Sequence, residues 1–105
     1  MTREVEILVE AASEAADAIR WYEQERPGLG AEFESAIDVA LSLLESDPVP
    51  SVPTLRVPGR RGVRRLVLRR FPFDAVFTLS PSKALVVVFA HHSRRPGYWQ
   101  HRGLS

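Results

Sequence analysis

"FDAVFTLSPSKALVVVFAH", residues 73–91, decides the fold. In its first part Phe73, Ala75, Phe77 and Leu79 recur at every second position, the spacing that lines one face of a β-strand. Ser80 to Lys83, "SPSK", reads as the turn of a hairpin. The run from Ala84 to His91 does not alternate. It is apolar on both faces, as befits a strand in the interior of a sheet. Such a strand needs a neighbour on each edge and a layer over its faces, and the rest of the chain has to supply them.

Upstream, Val63 to Phe71 is a further strand-like run, separated from Phe73 to Leu79 by Pro72. Near the start, Val5 to Val9 is rich in β-branched residues and reads as a strand. From Ala11 the composition turns to alanine and glutamate, with Ala12, Ala15, Ile19 and Tyr22 at helical spacing. This first helix is expected to end near Glu25, because "RPGLG" (Arg26 to Gly30) joins a proline to two glycines. A second helix follows, carrying Phe33, Ile37, Ala40, Leu41 and Leu44 on one stripe. Asp47 to Gly62 holds four of the eight prolines and two glycines, and is expected to be a long loop. The order is β-α-α-β-β-β, an α+β domain with a two-helix hairpin packed on one face of a largely antiparallel sheet.

At 105 residues the chain is expected to form a single domain over residues 1–105. It has no cysteine, which excludes a disulfide, a thiolate nucleophile and a thiolate metal site. The longest apolar stretch, Ala84 to Ala90, is far short of the roughly 20 residues of a membrane span, and a cytoplasmic location is expected. The net charge of +1 conceals an asymmetry. Residues 1–47 carry three arginines against twelve carboxylates, a net of −9, while residues 48–105 carry ten arginines and Lys83 against Asp74 alone, a net of +10. Clustered arginines gain by displacing counterions from a phosphate backbone, so the basic half points to a polyanionic target or an acidic partner. The other reading is that the halves pair with each other inside the domain, but surface pairs contribute only about 0 to 1 kcal/mol each.

"HHSRRPGYWQHR", residues 91–102, gathers three histidines, three arginines, a tyrosine and a tryptophan. His91 fits a strand-end histidine bonded to backbone, or a proton-transfer group. Tyr98 and Trp99, after Pro96 and Gly97, fit a structural closure over the end of the sheet, or a stacking surface. Arg94 and Arg102 on the same segment are candidates to face a target, a guanidinium fork being suited to phosphate or carboxylate. Adjacent histidines on a strand point to opposite faces, so His91, His92 and His101 make no convincing zinc site. "GLG" lacks the further glycine and lysine of a nucleotide-binding loop. No metal or other cofactor is implied.

Taken together, "WYEQERPGLGAEF" (Trp21 to Phe33), "RRFPF" (Arg69 to Phe73) and the closing set His91, Arg94, Pro96, Tyr98, Trp99 and Arg102 resemble the RelE/ParE family of toxins from type II toxin-antitoxin modules, the plasmid-stabilisation type. The resemblance runs from about Glu6 to Arg102. It implies a small toxin held inactive by a cognate antitoxin in a hetero-oligomer, the antitoxin wrapping onto helices and sheet; the opposite charges of the two halves and the apolar helix hairpin add the expectation that its acidic residues meet Arg64, Arg65 or Arg69. The family divides by target. ParE-like members act on DNA gyrase without cutting nucleic acid, whereas RelE-like members cut messenger RNA at the ribosome, using a basic sheet face and a residue near the C-terminal end. RNA cleavage requires a base for the 2′-hydroxyl, positive charge at the phosphate and an acid for the leaving oxygen. His91, His92, His101 and Tyr98 could move protons, and Arg94, Arg64, Arg65 and Arg69 could supply charge. The nucleolytic branch is rich in lysine on these strands, whereas this chain has only Lys83, at a hairpin tip. The resemblance therefore leans to the ParE-like side, with an mRNA endoribonuclease and a non-toxic antitoxin-binding module as alternatives.

Overall fold

The computed structural model describes residues 3–46, 49, 52–53, 62–94 and 98–99. Strand β1 (Glu4–Ile7) leads into helix α1 (Val9–Glu25) and helix α2 (Leu29–Glu45). Strands β2 (Val52–Pro53), β3 (Val63–Val67), β4 (Phe73–Leu79) and β5 (Lys83–His91) follow. One sheet has the order β1-β5-β4-β3-β2. β1 lies parallel to β5 and the other pairs are antiparallel. The α+β architecture expected from the sequence is thus present, and β5 is an interior strand between β1 and β4.

The helical hairpin owes its shape to one carboxylate and two glycines. Gly28 adopts a φ of 90°, in the left-handed region that a side chain disfavours. Neither helix has a side-chain cap from its own N-cap residue. Instead the Glu23 carboxylate, reaching across from α1, accepts hydrogen bonds from the Gly28 N–H at 3.0 and 3.1 Å and from the Gly30 N–H at 3.0 Å. These are amides that the start of α2 leaves unpaired. A Cβ on Gly30 would lie 2.7 Å from the Ile19 carbonyl oxygen, so the two helices meet backbone to backbone there. At the other end of α2 the Arg3 guanidinium donates to the carbonyls of Ser46 at 2.8 Å, Leu44 at 3.4 Å and Ser80 at 2.9 Å. A buried cation at a helix C-terminus is favoured by the helix dipole, and here it also ties α2 to the β4–β5 hairpin.

Between sheet and helices lies the main core. Phe33 of α2 is fully buried and touches the rings of Tyr22, Phe71 and Phe73, with centroids 4.9 to 5.0 Å apart. Tyr22, half-buried in this cluster, has its phenol pKa raised by burial. A second, smaller apolar cluster of Val63, Val76, Val87, Val88 and Trp99 occupies the opposite face of the sheet. The two faces are divided by a bulge. Val76 pairs with Val88 but the next residue, Phe77, pairs with Val86, leaving Val87 unopposed. The side-chain alternation of β5 therefore shifts by one. Ala84, Val86 and Phe89 belong to the helix side, and Val87 and Val88 both belong to the other.

Boundaries differ from the sequence reading in three places. α1 starts at Val9, inside the apolar run expected to be strand, and β1 stops at Ile7. β3 ends at Val67 because Leu68 to Pro72 form the turn, closed by the Leu68 N–H donating to the Phe73 carbonyl at 2.9 Å. The proline-rich loop contributes Val52–Pro53 to the sheet as a two-residue edge strand, a position where a proline costs no ladder bond. Among the described residues no helix is long and apolar enough to cross a membrane.

Candidate functional site

At one end of the sheet, α1 and the segment after β5 enclose a cleft of about 340 Å³. His91, Arg94 and Tyr98, three of the residues selected from the sequence, line it together. The bulge at Val87 is what brings His91 there, since without the shift the end of β5 would present that side chain to the opposite face. The His91 ring meets Phe73 edge-on at 4.9 Å. Its Nδ1 accepts from the Ser93 N–H at 3.0 Å and lies 2.7 Å from the Ser93 hydroxyl. With that lone pair engaged by a main-chain donor, Nε2 is the ring nitrogen left for other partners. The Arg94 guanidinium lies over the Tyr98 ring, 4.2 Å from its centre, a cation–π contact.

The opposite wall of the cleft comes from α1 and is acidic. Glu14 and Asp17 stand on it, Asp17 paired with Arg20. Sequence reasoning did not connect these carboxylates with the terminal segment, because more than seventy positions separate them and only their helical spacing of three marks a shared face. These carboxylates face the Arg94 guanidinium across the cleft, which therefore carries both signs of charge.

The second histidine points elsewhere. His92 Nε2 lies 2.9 Å from Asp74 Oδ1, and Arg65 Nη1 lies 3.4 Å from Asp74 Oδ2. Asp74 is buried, on the sheet face opposite the helices, beside the cluster that Trp99 closes. Its isolation was visible in the sequence, where it is the single carboxylate of residues 48–105. Trp99 is 4% exposed, and Tyr98 is half-buried and packs against the same cluster. The centre of this face is therefore apolar.

The arginines of the β3 region do not form one basic face. Arg64 stands opposite Phe77 and Arg65 opposite Val76, which lie on different sides of the sheet. Arg69 is exposed in the β3–β4 turn. Beside it, Arg70 has a φ of 68° and donates to Glu32 of α2 at 3.1 Å, and Arg26 donates to the other oxygen of Glu32 at 3.1 Å. Lys83 at the hairpin tip pairs with Glu6 at 3.1 Å, which raises its pKa. Arg70–Glu32 and Lys83–Glu6 join the acidic and basic halves of the chain, and both pairs are exposed. Among the described residues no cluster of three His, Asp or Glu side chains could hold a metal ion. Arg102 and His101 lie outside the described residues.

No family model and no curated protein matches the sequence. Among solved structures, a chain described as "Chromosomal ParDE TA system from P. aeruginosa" has the same fold. The TM-score is 0.69 at 20% sequence identity, over 86% of this chain and 96% of that one. The likeness is one of architecture, extending over nearly the whole of the neighbouring chain.

Proposed function

We propose that this chain is the toxin of a type II toxin–antitoxin module, of the ParE-like kind, which inhibits growth by acting on DNA gyrase and is neutralised by a cognate antitoxin. The observation that carries this reading is the agreement of fold with a chain of a ParDE system over 86% of the present chain. The family resemblance of the sequence, through "RPGLG", "RRFPF" and the terminal aromatic segment, covers the same elements. Within the family, three features favour the non-nucleolytic branch. The sheet face away from the helices is apolar and closed by Trp99 rather than basic. Arg64 and Arg65 leave the sheet on opposite sides. Glu14 and Asp17 stand at the cleft that a messenger RNA phosphate would have to enter.

A second reading, a ribosome-dependent mRNA endoribonuclease, is favoured by the meeting of His91, Arg94 and Tyr98 in one cleft. Expression without antitoxin separates the two. A gyrase inhibitor produces an SOS response and loss of supercoiling with messenger RNA intact. Rapid cleavage of transcripts on ribosomes would overturn the gyrase reading, and growth unaffected by expression would leave only an antitoxin-binding module.

A further inference from the structure

We propose that the corner formed by the α1–α2 turn and the β3–β4 turn is a docking surface for the phosphate backbone of duplex DNA, with Arg26, Arg69 and Arg70 as its contacts. The inference deepens the proposed action on a DNA-bound target and rests on that reading.

Arg70 is the starting point. It is the one non-glycine residue with positive φ among the described residues. Its value of 68° lies in the left-handed region, where a Cβ is disfavoured and glycine or asparagine is the usual occupant. The turn itself does not call for an arginine. Its closing bond is the Leu68 N–H to the Phe73 carbonyl, and the Phe71 N–H to Leu68 carbonyl bond at 3.3 Å is also main-chain. Nor does the ion pair with Glu32 account for the choice. The Arg70 side chain is 71% exposed, and a solvated pair of this kind returns less stability than the backbone strain removes. Glu32 is already favoured in the first turn of α2 by the helix dipole, without a partner. A residue that costs stability and gains little within the fold is explained by what its guanidinium meets outside.

The neighbours indicate what that is. Arg26, 61% exposed, shares the Glu32 carboxylate with Arg70, so one acidic group holds two guanidinium forks side by side. Arg69 adds a third exposed cation on the same turn. The nearby Glu23 is engaged with the amides of Gly28 and Gly30. Within the two turns Pro27, Gly28 and Pro72 are the exposed residues beside the arginines, Phe71 is buried, and one exposed carboxylate, Glu25 at the end of α1, flanks Arg26. A protein interface is anchored by apolar or aromatic residues at its centre, whereas a phosphate backbone is held by exposed arginines alone. The corner has the second composition.

Fluorescence anisotropy with a labelled 20-base-pair duplex and the purified full chain tests this. The parent is expected to bind with a steep dependence on salt. Arg70→Gly, which suits the left-handed backbone, should weaken binding on the order of tenfold at 50 mM salt and flatten the salt slope by about one. The same variant should melt at the parent temperature or above it. Arg69→Ala should weaken binding similarly, Glu32→Gln should tighten it by freeing both guanidinium groups, and Arg20→Ala on α1 should leave it unchanged. Duplex affinity unaltered by Arg69→Ala and Arg70→Gly together would overturn the proposal. So would a lowered melting temperature for Arg70→Gly, or an Arg70-dependent uptake of hexaglutamate without any of duplex. Growth inhibition plays no part in this assay, so an inactive toxin could still bind duplex and a toxin that ignored DNA would still arrest growth.

Discussion

The two faces of the sheet are built differently. Towards the helices, Phe33, Phe71, Phe73 and Tyr22 interlock, edge to face except for the tilted Tyr22–Phe33 pair, and each ring is held by two or more others. On the other side four valines are covered by Trp99, with Asp74, His92 and Arg65 at the margin. One face is held by a whole layer of secondary structure, and among the described residues the other is closed by Trp99, with Tyr98 packed beside it. The helix-side cluster gathers more and larger buried side chains than the valine face does. The helix side therefore carries the stability of the fold, and the opposite side couples the terminal segment to it.

Phe33→Ala should give the largest effect, a loss of about 3 to 5 kcal/mol in chemical denaturation, because it empties the centre of the aromatic cluster. A loss under about 1 kcal/mol would mean that the helix face is not the principal core. Trp99→Ala should cost somewhat less, roughly 3 kcal/mol, since the valines it uncovers already form a sheet face. It should also raise binding of a hydrophobic dye at temperatures where the parent binds none, and Trp99→Phe should restore most of the stability. If Trp99→Ala melted like the parent, the second face would not depend on this cover. Smallest in stability is Arg94→Ala, within about 0.5 kcal/mol of the parent because the side chain is exposed. Its effect is expected in the growth assay instead, as loss of inhibition. A stable Arg94→Ala protein that still arrested growth would move the functional contact away from the cleft.

Much of the helix side was legible in the sequence. The stripe Phe33, Ile37, Ala40, Leu41 and Leu44 reads as a buried helix face because its period is local; Leu41 is partly buried and the other four are buried. The alternation in Phe73 to Leu79 likewise places Phe73, Ala75, Phe77 and Leu79 with the helix-side core. The bulge was not legible. Three consecutive valines, Val86 to Val88, satisfy either register, and which one stands unopposed is decided by the partner strand. The parallel pairing of β1 with β5 also has no local signal, since it joins residues about eighty positions apart. The cleft was half visible. His91, Arg94 and Tyr98 were marked by their chemistry, but Glu14 and Asp17 look like any solvated helix face until the helix is set beside the sheet.

That parallel pairing also sets the order in which the molecule can be completed. Glu4 lies opposite Lys83 and Ile7 opposite Val86, so β1 leaves the ribosome about eighty residues ahead of the strand it pairs with. At about 5 to 20 residues per second, the interval is on the order of 4 to 16 s. The hairpins of β3, β4 and β5 involve near neighbours and can close as they emerge, whereas β1 docks at the cost of a long loop closure. Throughout that interval α1 lacks the strand it packs against, β5. A nascent chain in this state leaves apolar surface uncovered that the finished sheet buries.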